Sequence, residues 1–230
     1  MSKKFWVVIP AAGVGRRMQS DCPKQYLDIS GKTVLDRTIS VFIERKDIEG
    51  IAVGIGANDA YWQDSIWAEH SNVHSYVGGS ERSETVQNGL SFLLDQHGVT
   101  PHQSVLVHDA ARPLLSQTAL DKILSHDGKF GCILALPCRD TIKQQQQQGN
   151  ATIHSTLDRR LLWQAQTPQC FPVGALKKAL EQAVQDGALI TDESSAMERL
   201  GWQPALIEGD VLNFKITSPD DLMLARAVLR

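Results

Sequence analysis

Short runs of β-branched and large apolar residues recur along this chain, and they constrain its fold more than any other feature. Phe5-Trp6-Val7-Val8-Ile9 has no polar alternation, so a strand made of it must be covered on both faces, as strands of parallel sheets are. Ile51–Ile55, Val73–Val77, Val105–Val107 and Cys132–Leu136 read as further buried strands. Between them lie segments with helical spacing: Val34, Leu35, Ile39, Phe42 and Ile43, then Val86, Leu90, Leu93 and Leu94, then Leu120, Ile123 and Leu124. Strands alternating with helices predict an α/β fold with a doubly wound, mostly parallel sheet.

Thr33 and Ser80 are the expected N-caps of two of these helices. The second cap puts the Gly78-Gly79-Ser80 turn at a strand end that leads into a helix, the edge where open α/β sheets bind ligands. Further on, Ala175–Ala183 and Ser194–Leu200 read as helices, Ala205–Ile207 and Phe214–Ile216 as short strands, and Ser218-Pro219 as the start of a last helix through Val228. Residues 139–158 break the pattern. Two β-leaning stretches flank five glutamines and Gly149-Asn150, which predicts a protruding hairpin arm. Its isolated apolar residues, Ile142, Ile153 and Leu157, would be poorly buried on one subunit, so a second chain is expected to cover them.

The length of 230 residues suits one large domain spanning 1–230, with 139–158 as its arm. Lys plus Arg number 23 against 26 Asp plus Glu, leaving a net charge of −3 and no bulk positive field for nucleic acid. Any anion must therefore meet a local cluster. The four cysteines form no C-x-x-C pair and are too sparse for a disulfide framework, no apolar run approaches a membrane span, and the run after Lys3-Lys4 is too short for a signal peptide. A cytoplasmic protein that binds neither membrane nor nucleic acid is the expectation. Cys138 and Cys170 lack a partner histidine at any recognisable spacing and read as small hydrophobes, while Trp62, Trp67, Trp163 and Trp202 read as packing anchors.

The chemistry concentrates just after the first strand, in Pro10-Ala11-Ala12-Gly13-Val14-Gly15, followed by Arg17 and Pro23-Lys24. Small residues let the backbone approach a ligand closely, and free N–H groups can then face a phosphate chain. The spacing matches neither a P-loop nor a dinucleotide fingerprint. An ordinary strand-to-helix connection is the alternative; both cations and the proline favour a triphosphate site. Asp109, just past Val105–Val107, can assist a hard cation, position a sugar hydroxyl or cap a turn. His108 is read as structural, because no G-x-S-x-G elbow accompanies it. Ser80 and Thr85 are either nucleotide contacts or helix caps.

Taken with Gly79-Ser80-Glu81-Arg82-Ser83-Glu84-Thr85, His108-Asp109-Ala110-Ala111-Arg112-Pro113, Arg139-Asp140-Thr141, Leu157-Asp158-Arg159, Thr167-Pro168-Gln169, Thr191-Asp192-Glu193 and Asn213-Phe214-Lys215, the first loop makes an ordered set from about residue 5 to residue 229. That set resembles the 2-C-methyl-D-erythritol 4-phosphate cytidylyltransferases. The resemblance implies a Rossmann-like nucleotidyltransferase fold and attack by the phosphate of methylerythritol phosphate on the α-phosphorus of CTP, with Mg²⁺ or another divalent cation and release of pyrophosphate. It implies Arg17 and Lys24 as catalytic cations. Pro10, Ala11, Ala12, Gly13, Gly15, Gly79, Ser80, Arg82, Thr85 and Asp109 become nucleotide contacts, with Asp109 also a metal ligand. Arg112, Thr141, Arg159, Thr167, Thr191 and Lys215 become acceptor contacts. It also implies a homodimer whose arm completes the partner's pocket with Thr141 and Arg159. Ser80 stands where relatives show an acidic residue. The rival readings are a cytidylyltransferase for another polyol phosphate, such as ribitol 5-phosphate, and a CTP-sensing domain without turnover.

Overall fold

The computed structural model describes residues 3–13, 22–149 and 151–229. Eleven strands are present there: β1 (Phe5–Pro10), β2 (Asp28–Ile29), β3 (Lys32–Thr33), β4 (Ile48–Ile55), β5 (Val73–Val77), β6 (Ser104–Val107), β7 (Cys132–Pro137), β8 (Ile142–Gln145), β9 (Ile153–Leu157), β10 (Trp163–Pro172) and β11 (Ala205–Glu208). The helices are α1 (Val34–Ser40), α2 (Arg82–Gln96), α3 (Gln117–Ser125), α4 (Val173–Gln185), α5 (Glu193–Arg199) and α6 (Pro219–Val228). Seven strands form one sheet in the order β11-β7-β10-β6-β1-β4-β5. All its pairings are parallel except the two made by β10.

The apolar run of β1 explains itself in this arrangement. Phe5, Val7 and Ile9 face a core with Leu35 and Ile39 of α1 and Leu120 and Ile123 of α3. Trp6 and Val8 face the opposite core, with Val86, Leu90 and Leu93 of α2 and Leu176 and Leu180 of α4. Both faces are covered, so neither can be polar. The chain winds outward from β1 through β4 to β5 and then returns to place β6 on the other side of β1. The loops leaving β1 and β6 therefore diverge and open a crevice at the carboxyl ends of the strands.

Capping follows the sequence with one exception. Thr33 makes a capping box with Asp36, and Ser218 makes one with Asp221 ahead of Pro219. Ser80, however, is not the cap of α2. Glu81 holds that position without a side-chain bond, and Ser80 donates through its N–H and hydroxyl to Glu84 at 2.7 and 2.8 Å. The expected strand at Phe214–Ile216 is likewise absent. That segment is a loop whose Ile216 N–H donates to the Ala111 carbonyl at 2.9 Å. Trp163 is no packing anchor, being 38% exposed, while Trp62 is buried and Trp67 Nε1–H donates to the Asp36 carbonyl.

Strand β10 carries no periodic signal, since Trp163-Gln164-Ala165-Gln166-Thr167-Pro168-Gln169 is mostly polar. It nevertheless lies inside the sheet, with Gln166, Thr167 and Gln169 buried, and its pairing with β7 is interrupted between Ala165 and Gln169, around Pro168. Pro lacks the ladder donor, so an interruption there is the expected accommodation. Strands β8 and β9 form a separate antiparallel pair, the hairpin arm. Ile153 is 66% exposed and Leu161, just beyond the arm, 79%.

Candidate active site

Three loops meet at the crevice, each pinned by its own hydrogen bonds. After β1, the Ala11 N–H donates to the Gly54 carbonyl at 2.8 Å, and the Ala11 carbonyl accepts from the buried Gln25 side chain at 2.6 Å. Gln25 sits in the short 3₁₀ turn Lys24–Tyr26, so this bond ties the lysine to the first loop. The Lys24 ammonium also donates to the Ile216 carbonyl at 3.1 Å. Arg17 and Gly15 lie outside the described residues.

After β5, the Gly78 N–H donates to the Ile55 carbonyl and the Gly79 N–H to the Thr85 hydroxyl at 3.0 Å, while Thr85 donates back to the Glu81 carbonyl. A Cβ on Gly78 would lie 2.6 Å from the Ala12 Cβ and 2.9 Å from the Thr85 hydroxyl oxygen. Neither neighbour is a flexible side-chain end, so the first and second loops approach this closely only over glycine. Gly78→Ala is accordingly expected to lower stability by about 1–3 kcal/mol through overpacking. Urea unfolding at equilibrium checks this, and an unchanged midpoint would remove the glycine requirement.

After β6 come His108 and Asp109. Pro10, Ala11, Ala12, Gly13, Lys24, Gly79, Ser80, Arg82, Thr85, Asp109 and Lys215 all line one cleft, joined by Gln25, Glu81 and Ala110, which sequence reasoning did not single out. A second cleft adjoins it, lined by Arg112, Thr167, Thr191, Gln166, Gln169 and Asp192. Arg82, Asp109 and Lys215 line both and form their common wall. Thr141 and Arg159 line neither. They are exposed at the foot of the arm, where the Arg159 guanidinium donates to the Arg139 carbonyl.

The common wall is a charge cluster. Asp109 Oδ1 accepts from Arg82 Nε at 2.9 Å, and Oδ2 from Lys215 Nζ at 3.0 Å and Arg112 Nε at 3.3 Å. Burial alone would push the Asp109 carboxyl up, but Arg82, Lys215 and Arg112 outweigh it and hold the pKa well below the usual carboxylate range. Arg82 uses its remaining edge on Glu193, at 2.6 and 3.0 Å, in a bidentate pair. Burial works against the Arg82 charge, yet the two carboxylates raise its pKa above the ordinary value.

His108 is fully buried, and burial pushes its pKa down to about 4, so it is neutral at pH 7. Its Nε2 lies 3.1 Å from the Arg112 carbonyl and must donate there, which leaves Nδ1 to accept from the Thr167 hydroxyl at 3.0 Å. The Thr167 oxygen in turn accepts from the Asp109 N–H at 3.0 Å. This chain of bonds fixes the Asp109 backbone, as the structural reading of His108 expects. It also commits the Thr167 hydroxyl proton inside the fold, so toward a ligand this group can only accept.

The surroundings of Asp109 do not fit the metal-ligand role expected of it. Three of the roughly four lone-pair directions of the carboxylate already receive N–H groups, and an ion there would sit beside three fixed cations. Among the described residues no group of three His, Cys, Asp or Glu side chains gathers to hold a metal.

Comparison with known proteins agrees with this architecture. The sequence model of the family described as 2-C-methyl-D-erythritol 4-phosphate cytidylyltransferase matches residues 5–230. Proteins of that name from Pseudomonas aeruginosa and Pseudomonas fluorescens are each 46% identical to this chain, over 95% of it and 93% and 92% of their own lengths. A crystal structure of a 4-diphosphocytidyl-2C-methyl-D-erythritol synthase superposes with a TM-score of 0.85 at 37% identity, covering 99% of this chain and all of the other. The Francisella tularensis 2-C-methyl-D-erythritol 4-phosphate cytidylyltransferase superposes at 0.83 and 34%, over 98% and 99%. With a doubly wound sheet, two adjoining clefts at its carboxyl edge and a sequence that matches over residues 5–230, this chain belongs to the 2-C-methyl-D-erythritol 4-phosphate cytidylyltransferase family.

Proposed function

We propose that the protein transfers a cytidylyl group from CTP to 2-C-methyl-D-erythritol 4-phosphate. The observation that carries this reading is the wall shared by two clefts, in which Arg82, Asp109 and Lys215 face both. One cleft has the glycine turns and Lys24 that suit a triphosphate; the other offers Arg112, Thr167 and Thr191 for a polyol phosphate. In the transfer, an oxygen of the acceptor phosphate bonds to the α-phosphorus of CTP, the bond to the bridging oxygen breaks, and pyrophosphate leaves with the electron pair. No protein group needs to become covalently attached. The protein's part is to hold two polyanions in line and to stabilise charge on the α-phosphate and the leaving group.

Lys24 and Arg17 are assigned to that stabilisation, Lys215 and Arg112 to the acceptor phosphate, and Thr191 to its hydroxyl groups. Asp109 acts by holding Arg82, Arg112 and Lys215 in place. A divalent cation, magnesium by the resemblance, would supply neutralisation of triphosphate charge, and Asp109, already occupied by Arg82, Arg112 and Lys215, would not hold it. Phosphorus NMR of a reaction offering CTP with methylerythritol phosphate or ribitol 5-phosphate tests the reading. Pyrophosphate and a diphosphocytidyl product with the first acceptor alone support it. Turnover of ribitol 5-phosphate in preference, or of neither, would overturn it.

We infer further that the protein is a cytoplasmic homodimer joined through residues 139–158, with Thr141 and Arg159 reaching the partner's acceptor cleft. Exposed Ile153, Leu157, Leu161 and Trp163 on and beside the arm support this, since an apolar cluster of this kind is stabilised by a covering surface. Among the described residues no helix is long and apolar enough to cross a membrane. Leu161→Ser is expected to raise the dimer dissociation constant about tenfold, the loss of one apolar contact of roughly 1–2 kcal/mol. Sedimentation equilibrium measures it, and a parent protein that is monomeric at micromolar concentration would end the dimer reading.

A further inference from the structure

Glu193 belongs to none of the roles assigned above, yet it is the most enclosed carboxylate near the clefts. It is 1% exposed, at the first position of α5, immediately after the acceptor-side residues Thr191 and Asp192. Its two oxygens take both terminal nitrogens of Arg82, at 2.6 and 3.0 Å, and among the described residues Arg82 is its ion-pair partner. The Nε–H of Arg82 goes to Asp109, whose other oxygen holds Lys215 and Arg112. A line of ion pairs therefore runs from a buried carboxylate, through the nucleotide-side helix α2, to the ammonium that faces both clefts.

We propose that Glu193 is a positioning residue for the transfer: by clamping Arg82 edge-on it aligns Asp109 and sets the place of the Lys215 ammonium between the two substrates. This rests on the cytidylyl-transfer reading. An arginine at a two-cleft wall has two uses, to bind a substrate phosphate directly or to organise its neighbours, and here three of its five N–H groups are taken by protein carboxylates. Glu193 selects the second use. A carboxylate held from one side rotates about its bond to Cβ, and Lys215 follows it. Misplacement of reacting or stabilising groups by about 1 Å lowers rates up to about a hundredfold without weakening ground-state binding to the same degree.

Glu193→Gln keeps the shape and removes the charge. It is expected to lower kcat about 10- to 100-fold while the KM for either substrate changes less than about threefold. The double variant Glu193→Gln with Arg82→Gln should be no more than about threefold slower than Arg82→Gln alone, because Glu193 acts through Arg82. Glu193→Asp, which keeps the charge, should recover part of the loss. Circular dichroism and melting establish the folded fraction to which kcat is normalised. A normalised kcat within twofold of the parent, or losses that multiply in the double variant, would overturn the proposal.

A measurement on the unaltered protein stands beside these. Nitrogen-15 NMR of the Arg82 guanidinium, assigned with Arg82→Lys, should show separate terminal-nitrogen signals from a group locked against rotation, with CTP absent or present. A freely rotating guanidinium refutes the clamp even if Glu193 variants fail to fold. Because the parent is assayed first with CTP and methylerythritol phosphate, failure of the transfer reading shows as an inactive parent, separate from failure of the clamp.

Discussion

Lys24→Ala is expected to lower kcat by about 10²–10³-fold, equivalent to roughly 3 kcal/mol of transition-state stabilisation, while the protein remains folded. The size follows from what one preorganised charge contributes where negative charge develops on a phosphoryl group. Lys24 is preorganised: its turn is tied to the first loop through Gln25 and the Ala11 carbonyl, and its ammonium is held by the Ile216 carbonyl at 3.1 Å. That last bond, to a neutral carbonyl oxygen, helps fix the place of the ammonium. The fold should survive because Lys24 is only partly buried and the turn keeps its backbone bonds. Steady-state pyrophosphate release with saturating substrates gives the ratio, and full turnover in the variant would sink the assignment.

Asp109→Asn should have the largest effect on stability, about 3–5 kcal/mol, because it strips one partner from a buried ionic cluster and leaves three cations facing each other. The pH dependence has a definite sign. The folded-state pKa of Asp109 lies below its ordinary value of 3.8, so the ionised carboxylate contributes its full stabilisation above about that pH. As pH falls further toward the folded-state pKa, the unfolded chain takes up the proton first and that contribution is lost. The stability difference between parent and Asp109→Asn should therefore be flat from neutrality down to about pH 4 and narrow below it. Denaturant unfolding at a series of pH values measures this. A gap that instead narrows between pH 7 and 5 would mean that another group, and not Asp109, anchors the cluster. Activity should fall with stability, since Lys215 and Arg82 lose their common anchor.

Residues whose meaning lies in their chemistry and local order were readable in advance. Pro10 through Gly13, Lys24, Gly79, Asp109 and Lys215 could be named from a strand followed by small residues, from cations near a glycine turn and from the family pattern, and the chain brings them to one cleft. Asp109 could be named but not its partners, because a charge announces that it needs compensation without saying by what. Glu193 was less legible still. Its block, Thr191-Asp192-Glu193, is visible in sequence, but nothing local distinguishes a buried clamp from a solvated helix start, and its partner Arg82 is 111 positions away. Thr141 and Arg159 stand exposed on the arm, and their assigned task depends on a second copy of the chain.

The layered α/β architecture was legible in the apolar runs, since only a sheet covered on both faces buries stretches such as Phe5–Ile9 and Val105–Val107, and the helical spacings supply the covers. The glycine turns and their strand ends also pointed to the carboxyl edge of that sheet as the place for a ligand, where the loops after β1 and β5 line one cleft. It took the packed fold to place polar β10 inside the sheet, where Gln166 and Thr167 find hydrogen-bond partners across loops distant in the chain. That fold alone decided which carboxylate restrains which cation. Hydrophobic periodicity reports whether a residue leaves water, a property of its near neighbours in sequence; the pairing of buried charges depends on which groups the packed layers bring within about 3 Å, and that is settled by the whole chain at once.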